Sequence, residues 1–244
     1  MIILDKPEGL TPLQALDRLR EKRPEYRDAI LSYAGRLDPM ASGVLPVLVG
    51  EENKRREEFL GLEKEYEFEV LFGIGTDTHD ILGIIDTIQP GKPREGAHDL
   101  TGTFMQTYPA YSSKPVSGVP LYKHARNGTL DTVKIPSREV TIHSARKVSS
   151  FQITGKELLA SVVKRVGNVV GDFRQEEILK KWEQSLRTQQ ERIFYATKYN
   201  AVVSSGTYIR TLAREIGEKA GLPALAFSIR RTRVGAMTLK DSVS

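Results

Sequence analysis

The chain has 244 residues, no cysteine, 36 Lys and Arg against 31 Asp and Glu, and a formal charge of +5. That length suits one large domain. The absence of Cys excludes a disulfide framework, a thiolate metal site and a Cys nucleophile, and it is compatible with a reducing cytoplasm. No apolar run approaches the roughly 20 residues that span a bilayer. The start, Met1-Ile2-Ile3-Leu4-Asp5-Lys6-Pro7, has no basic region followed by a long apolar stretch, so no secretion signal is expected.

Ile2-Ile3-Leu4 reads as a short buried strand that ends in the turn-rich Asp5-Lys6-Pro7-Glu8-Gly9. Thr11 is an expected helix N-cap with Pro12 at the first helical position. Leu13, Leu16 and Leu19 follow at helical spacing, with Arg18, Arg20, Lys22 and Arg23 as a basic side. In Tyr33-Ala34-Gly35-Arg36-Leu37-Asp38-Pro39-Met40-Ala41-Ser42-Gly43, Asp38 precedes a proline, which pushes it out of helical geometry. It therefore belongs on a stiff loop beside the apolar run Val44 to Val49. Such loops build active sites, although an Asp-Pro pair is also an ordinary turn. Asn53 to Leu60 reads as a short basic helix. The runs Lys54-Arg55-Arg56 and Arg230-Arg231-Thr232-Arg233 suit either phosphate contact or a solvated face.

Lys64 to Phe72 alternates Tyr66, Phe68, Val70 and Phe72 against charged neighbours, a half-buried strand. The polar, Gly-rich Gly73 to Gly83 is too short for a dinucleotide fingerprint. Its His79, Asp77 and Asp80 match no standard metal spacing. A short helix is expected over about 95–102. Tyr108 to Lys114 and Leu121 to Gly128 mix aromatic, basic and glycine residues, a composition suited to base stacking and phosphate contact. His124 reads as a surface residue. Val140 to Ile142 and Lys147 to Ile153 read as two strands. Lys156 to Val166 and Asp172 to Gln190 read as helices, the second capped by Asp172 and packing Trp182 into the core. Tyr199 to Val203 resumes a strand that turns through Ser204-Ser205-Gly206-Thr207 into a helix, leaving unpaired N–H groups at its start.

Several of these segments resemble one superfamily. Gly35-Arg36-Leu37-Asp38 is similar to the catalytic motif of the pseudouridine synthases. Its extension through Val47 resembles the branch of the bacterial tRNA pseudouridine synthase B family. Asp5 to Thr11, Lys64-Glu65-Tyr66, Thr76 to Gly83, Tyr108 to Lys114, Tyr122 to Gly128 and Ser204 to Arg210 resemble further motifs of that branch, in order. Tyr108 stands where the family usually has proline. The resemblance covers most of residues 1–240, apart from an expected helical insertion at about 155–195.

The resemblance implies an α/β (α+β) fold with a mixed, mainly antiparallel central sheet flanked by helices. The domain plan it implies is a single catalytic domain over 1–244, with an RNA-gripping insertion at about 104–135 and without the C-terminal PUA-type domain that many relatives carry. It implies Asp38 as the essential catalytic residue, Arg210 as its partner, and Tyr66 stacking on the target base and removing its C5 proton. Tyr208 and Ile229 would line the uridine pocket. Lys6 would pack beneath the site, and Arg36 belongs to the motif itself. Tyr33 stands where the family has a histidine that inserts into the RNA loop, and its ring is expected to substitute. The implied reaction converts uridine to pseudouridine at position 55 of the tRNA T-loop, after base flipping. It needs no cofactor and no metal. The expected partner is the tRNA T-arm, with a monomeric cytoplasmic enzyme and no membrane. A guanidinium favours the charged form of a neighbouring carboxylate, and arginine suits this better than lysine because it can grip bidentately. Rival readings are a ribosomal RNA pseudouridine synthase, a guide-RNA-dependent relative and a non-catalytic tRNA-folding chaperone.

Overall fold

A computed structural model describes residues 1–94 and 100–243. In chain order the elements are β1 (Ile2–Lys6), α1 (Pro12–Lys22), β2 (Leu31–Tyr33), β3 (Ala41–Val49), α2 (Arg56–Gly61), β4 (Lys64–Phe72), β5 (Ile74–Thr76), β6 (Ile85–Ile88) and β7 (Gly102–Thr107). They continue with β8 (Pro115–Val116), β9 (Val119–Pro120), α3 (Leu121–Arg126), β10 (Ser137–Thr154), α4 (Gly155–Gly167), α5 (Gln175–Leu186), β11 (Ile193–Val203) and α6 (Ile209–Ala220). β12 (Ala224–Val234), β13 (Met237–Thr238) and β14 (Ser242–Val243) close the order.

The central sheet runs β14-β1-β3-β12-β4-β11-β10-β7, with β2 beside β3 and β13 beside β12. Among the described residues the parallel strand pairs are β1–β14 and β3–β12, so the sheet is mixed and mainly antiparallel, as expected. The parallel pair sets Ile229 opposite Ala41 and Arg231 opposite Gly43. Gly43 has φ +104, and a Cβ there would lie 2.1 Å from the Arg231 carbonyl oxygen. Only glycine permits that approach.

The alternation on β4 divides the core. Tyr66, Phe68, Val70 and Phe72 join Tyr199, Ala201 and Val203 of β11 on one face. Helix α6 covers that face with Ile209, Leu212, Ala213, Ile216 and Ala220, a spacing that keeps one stripe inward. On the other face Leu71, Phe194, Ala196, Leu225 and Phe227 meet Leu158, Val162, Ile178, Trp182 and Leu186 of the α4–α5 pair. Trp182 is fully buried, as expected, and its Nε1 donates to the Gly83 carbonyl at 3.0 Å.

Thr11 caps α1 through a reciprocal pair with Gln14, and Pro12 begins it. Leu16 and Leu19 are buried, but Leu13 points to solvent because the inward stripe is Pro12, Ala15, Leu16 and Leu19. The expected helix at Asn53–Leu60 divides into a 3-10 turn, Gly50–Arg55, and α2. The two strands expected over 140–153 are one strand, β10; bulges against β11 between Ile142 and Ser144 and between Lys147 and Ser149 break the alternation there. The second inserted helix starts at Gln175 rather than Asp172 and stops at Leu186. Arg174 occupies its N-cap with left-handed φ +65, while the Asp172 carboxylate accepts from Arg126 and from the Arg174 N–H. The expected helix at 95–102 lies mostly outside the described residues, and its last residue, Gly102, opens β7.

Candidate active site

The Asp38 loop joins β2 to β3 and is fixed from below by one arginine. Arg231 is fully buried on β12. Its Nε donates to the Val44 carbonyl at 2.8 Å, Nη2 to Gly35 at 3.0 Å and Nη1 to Arg36 at 3.3 Å. Pro39 is tied as well, since its carbonyl accepts the Gly9 N–H at 2.8 Å. Gly9 has φ +92, and a Cβ there would lie 2.8 Å from the Asn168 carbonyl oxygen, so this junction also needs glycine.

Asp38 meets Arg210 at the start of α6, where Arg210 Nε lies 2.7 Å from Asp38 Oδ2. The side chains are unequally covered: Arg210 is 3% exposed and Asp38 34%. The guanidinium is thus buried while the carboxylate stays reachable. The contact is not the bidentate fork expected from arginine. The other two nitrogens are engaged elsewhere, Nη1 with the Thr78 carbonyl at 2.5 Å and Nη2 with the Tyr111 carbonyl at 3.2 Å. Arginine is still the fitting residue, because only its planar fork reaches three acceptors in fixed directions.

A second carboxylate stands beside this pair. Asp80 is buried, and its Oδ2 lies 3.6 Å from Arg210 Nε. Its Oδ1 accepts from Thr78 Oγ1 at 2.7 Å and from the Leu82 N–H at 2.9 Å. Burial pushes the Asp80 carboxyl up to about 6, against the opposing pull of Arg210. In the sequence this loop matched only a family motif, with no role assigned to Asp80. A signal was present in Thr76 to Asp80, where two hydroxyl residues flank the acids, but its meaning depends on Arg210 arriving from 130 residues later.

Asp38 opens into a cleft of about 910 Å³ lined by Tyr66, Tyr208, Ile229, Arg36, Arg210 and Arg231, among others. Tyr66 is buried in the first face of the sheet and Ile229 beside it on β12. Tyr208 packs edge-to-face on Tyr108, with ring centroids 5.6 Å apart, and Lys114 Nζ lies 5.3 Å from the Tyr108 centroid. Burial, followed by the nearby Asp38 charge, raises the Tyr208 hydroxyl above the usual tyrosine range. Asp38, Tyr66, Arg210, Tyr208, Ile229 and Arg36 are therefore gathered at one cleft.

Two residues named from the sequence do not line the cleft. Tyr33 lies on β2 opposite Val47 and packs half-buried among Leu31, Val49 and Ile2, outside the cleft lining. Its strand pairing turns the ring to the core side. Lys6 is fully buried and donates to the Pro7 and Leu10 carbonyls at 2.8 and 2.6 Å, so it ties the chain beneath the site without reaching it. Burial brings its ammonium down to about 8.

The basic runs are engaged in ion pairs and one buried tie. Arg230 pairs with Asp5 at 2.8 Å, Arg231 is the loop tie, and Arg233 pairs with Glu63 and Glu65 at 2.7 and 3.1 Å. Lys54, Arg55 and Arg56 pair with Glu51, Glu58 and Glu57 on an exposed surface. His124 is half-buried, with Nδ1 3.1 Å from Thr129 Oγ1. Among the described residues no group of His, Asp and Glu could hold a metal, and no helix is long and apolar enough to cross a membrane.

Residues 26–162, more than half of the chain, match the model of the TruB family pseudouridylate synthase N-terminal domain. The chain belongs to the TruB family. The tRNA pseudouridine synthase B of Limosilactobacillus reuteri is 32% identical over 251 residues, covering all of this chain and 70% of the relative. That of Aquifex aeolicus is 27% identical over 248 residues, covering all of this chain and 71% of the relative. That of Thermobifida fusca is 32% identical over 250 residues, with 72% of the relative covered. Two solved structures share the fold: a Cbf5-Nop10-Gar1 complex (TM-score 0.59) and an H/ACA RNP bound to a substrate RNA containing 2'-deoxyuridine (TM-score 0.56). Each is 18% identical and matches 98% of this chain, which spans about half the length of those chains. In this TruB-family protein the Asp38 loop and β4 fall inside the matched family segment, whereas α6 and β12, which supply Arg210, Tyr208, Arg231 and Ile229, follow it.

Proposed function

We propose that this protein isomerises uridine to pseudouridine in tRNA, at position 55 of the T-loop. The observation that carries the reading is the exposed carboxylate of Asp38, held 2.7 Å from a buried arginine at the floor of an aromatic cleft. The reaction breaks the N-glycosidic bond, turns the base and rejoins it through C5; the C5 proton leaves and N1 gains one. Nothing is oxidised and no group is imported, so the chemistry needs no cofactor and no metal.

In this reading Asp38 is the catalytic carboxylate, and Arg210 holds it in place beside the nucleoside. A uridine stacked in folded RNA is out of reach, so it is everted into the cleft. Tyr66 stacks on it and takes the C5 proton, Ile229 closes the opposite wall, and Tyr208 supplies a further wall with a hydroxyl. Arg36, exposed at the cleft, meets backbone phosphate. Residues 104–135 grip the RNA, and the helical pair at 155–195 is an addition to a single catalytic domain. The protein works in the cytoplasm, as a monomer without an obligate protein partner.

The test is to incubate the protein with unmodified tRNA and with ribosomal RNA and to map pseudouridine. The expected result is modification confined to the tRNA T-loop and abolished by Asp38→Asn. Binding of tRNA without modification by the unaltered protein would leave a folding chaperone in its place. Modification of ribosomal RNA alone would move the enzyme to another branch.

A further inference from the structure

The segment between α4 and α5 comes round the edge of the sheet from the second face and ends at the cleft. Asp172, Phe173 and Arg174 line the same cavity as Asp38 and Tyr66. Phe173 is half-buried, with its inner side in the apolar cluster beneath α4 and α5. It shares the cleft wall with Thr11, Pro12, Pro39 and Leu82.

This segment is held from four directions. The Val170 N–H donates to the Gly9 carbonyl at 2.9 Å, and Gln14 Nε2 donates to the Val170 carbonyl at 3.1 Å. Gly9 in turn holds Pro39, the neighbour of Asp38, so the linker and the Asp38 loop share one backbone junction. On the far side Arg174 Nη1 meets Asp77 Oδ2 at 2.9 Å, and the guanidinium lies 4.3 Å over the Tyr111 ring. Arg126 Nη2 on α3 donates to the Asp172 carbonyl at 2.9 Å. Arg174 keeps a left-handed φ of +65 that a non-glycine residue adopts only under external restraint. The Asp77 pair and the Tyr111 ring supply it.

We infer that Phe173 is a substrate-binding residue: its ring receives the base of a tRNA nucleotide flanking the everted uridine. The inference rests on the function proposed above. An aromatic ring on a segment held on both sides, lining the same cleft as the reacting carboxylate, is a stacking platform. Arg36 and Lys114 line the same cleft and give the connecting backbone its counter-charge. Everting one nucleotide from a loop unstacks its neighbour, and Phe173 replaces the lost stacking partner.

The test compares Phe173→Ala, Phe173→Leu and Phe173→Tyr in pseudouridine formation on tRNA. Alanine should raise KM by about 5- to 150-fold, the range for loss of one base–aromatic stack, with kcat within about threefold. Leucine, which keeps apolar volume, should remain impaired, and tyrosine should match the unaltered protein. A benzophenone side chain placed at position 173 should crosslink to the tRNA on irradiation. Full KM in the leucine variant would reduce Phe173 to packing, and an unchanged KM in the alanine variant or an absent crosslink would overturn the inference. Absence of pseudouridine with the unaltered protein would instead strike the functional reading. In that event the Kd for tRNA of Asp38→Asn, with and without Phe173→Ala, decides the stacking role separately.

Discussion

The two faces of the central sheet are covered by different helices and do different work. Under α6 the face is interrupted by charge: Asp80 and Arg210 are buried there, with Asp38 at their edge. Under α4 and α5 it is apolar at the Leu71 end of β4 and closes over an indole whose one polar atom is satisfied. At the other end of β4 the same face stays open and carries surface ion pairs, Glu67 with Lys198 at 2.7 Å and Glu65 with Arg233 at 3.1 Å. A buried ion pair is a poor way to stabilise a fold, because desolvation consumes much of the Coulomb attraction. Its presence on one face and absence from the other separates the groups kept for chemistry from those kept for packing.

The largest effect should come from Arg210→Met. Removal of one guanidinium leaves Asp38 and Asp80 facing each other and frees the Thr78 and Tyr111 carbonyls. Loss of a preorganised electrostatic partner should lower kcat by about 10²- to 10³-fold. Breaking a buried pair should also lower stability by about 3–5 kcal/mol in a denaturant titration. Arg210→Lys should recover little, since one ammonium cannot reach all three acceptors. Equal damage to kcat from a core change on the other face would erase the distinction.

Trp182→Ala is that core change. It should cost about 3–5 kcal/mol through the cavity it leaves, read as a shift in the urea midpoint. Turnover measured where the protein remains folded should keep kcat within about threefold. A thousandfold loss of kcat would show that the second face takes part in the chemistry.

The smallest effect is a slope. Asp80 is raised from 3.8 to about 6, so between those values the folded state holds a proton that the unfolded chain has released. The contribution of Asp80 to stability should therefore fall as pH rises from about 4 to about 6, by up to about 3 kcal/mol, and stay level above. Asp80→Asn should flatten this part of the stability profile. A variant whose profile runs parallel to that of the unaltered protein would place the titration on another group.

Much of this was legible in order of residues. The period of two on β4 and the Thr11 cap each depend on neighbours within a few positions, and both formed as read. The meeting of Asp38 with Arg210 came from resemblance to a family rather than from pattern. What stayed hidden depends on distant partners. Arg231 reads as part of a basic run, and only the parallel pairing of β12 with β3 brings three carbonyls to it. Tyr33 reads, from the family resemblance, as a ring standing in for an RNA-contacting histidine; its pairing with Val47 packs it half-buried against its neighbours. The unity of β10 was masked by its two bulges, which shift the alternation without ending the strand. The start of α5 was misplaced because Asp172 had a better use as an acceptor for Arg126.

Arg231 and Ile229 stand two residues apart on one strand, one gripping the backbone that carries the acid and the other forming a wall of the cavity. A deletion of one residue just upstream in β12 would turn both away together. Site assembly is thus all-or-none with respect to that strand's alignment. A chimera that transplants the Asp38 loop should carry β12 with it, because the loop brought alone would arrive without its mooring.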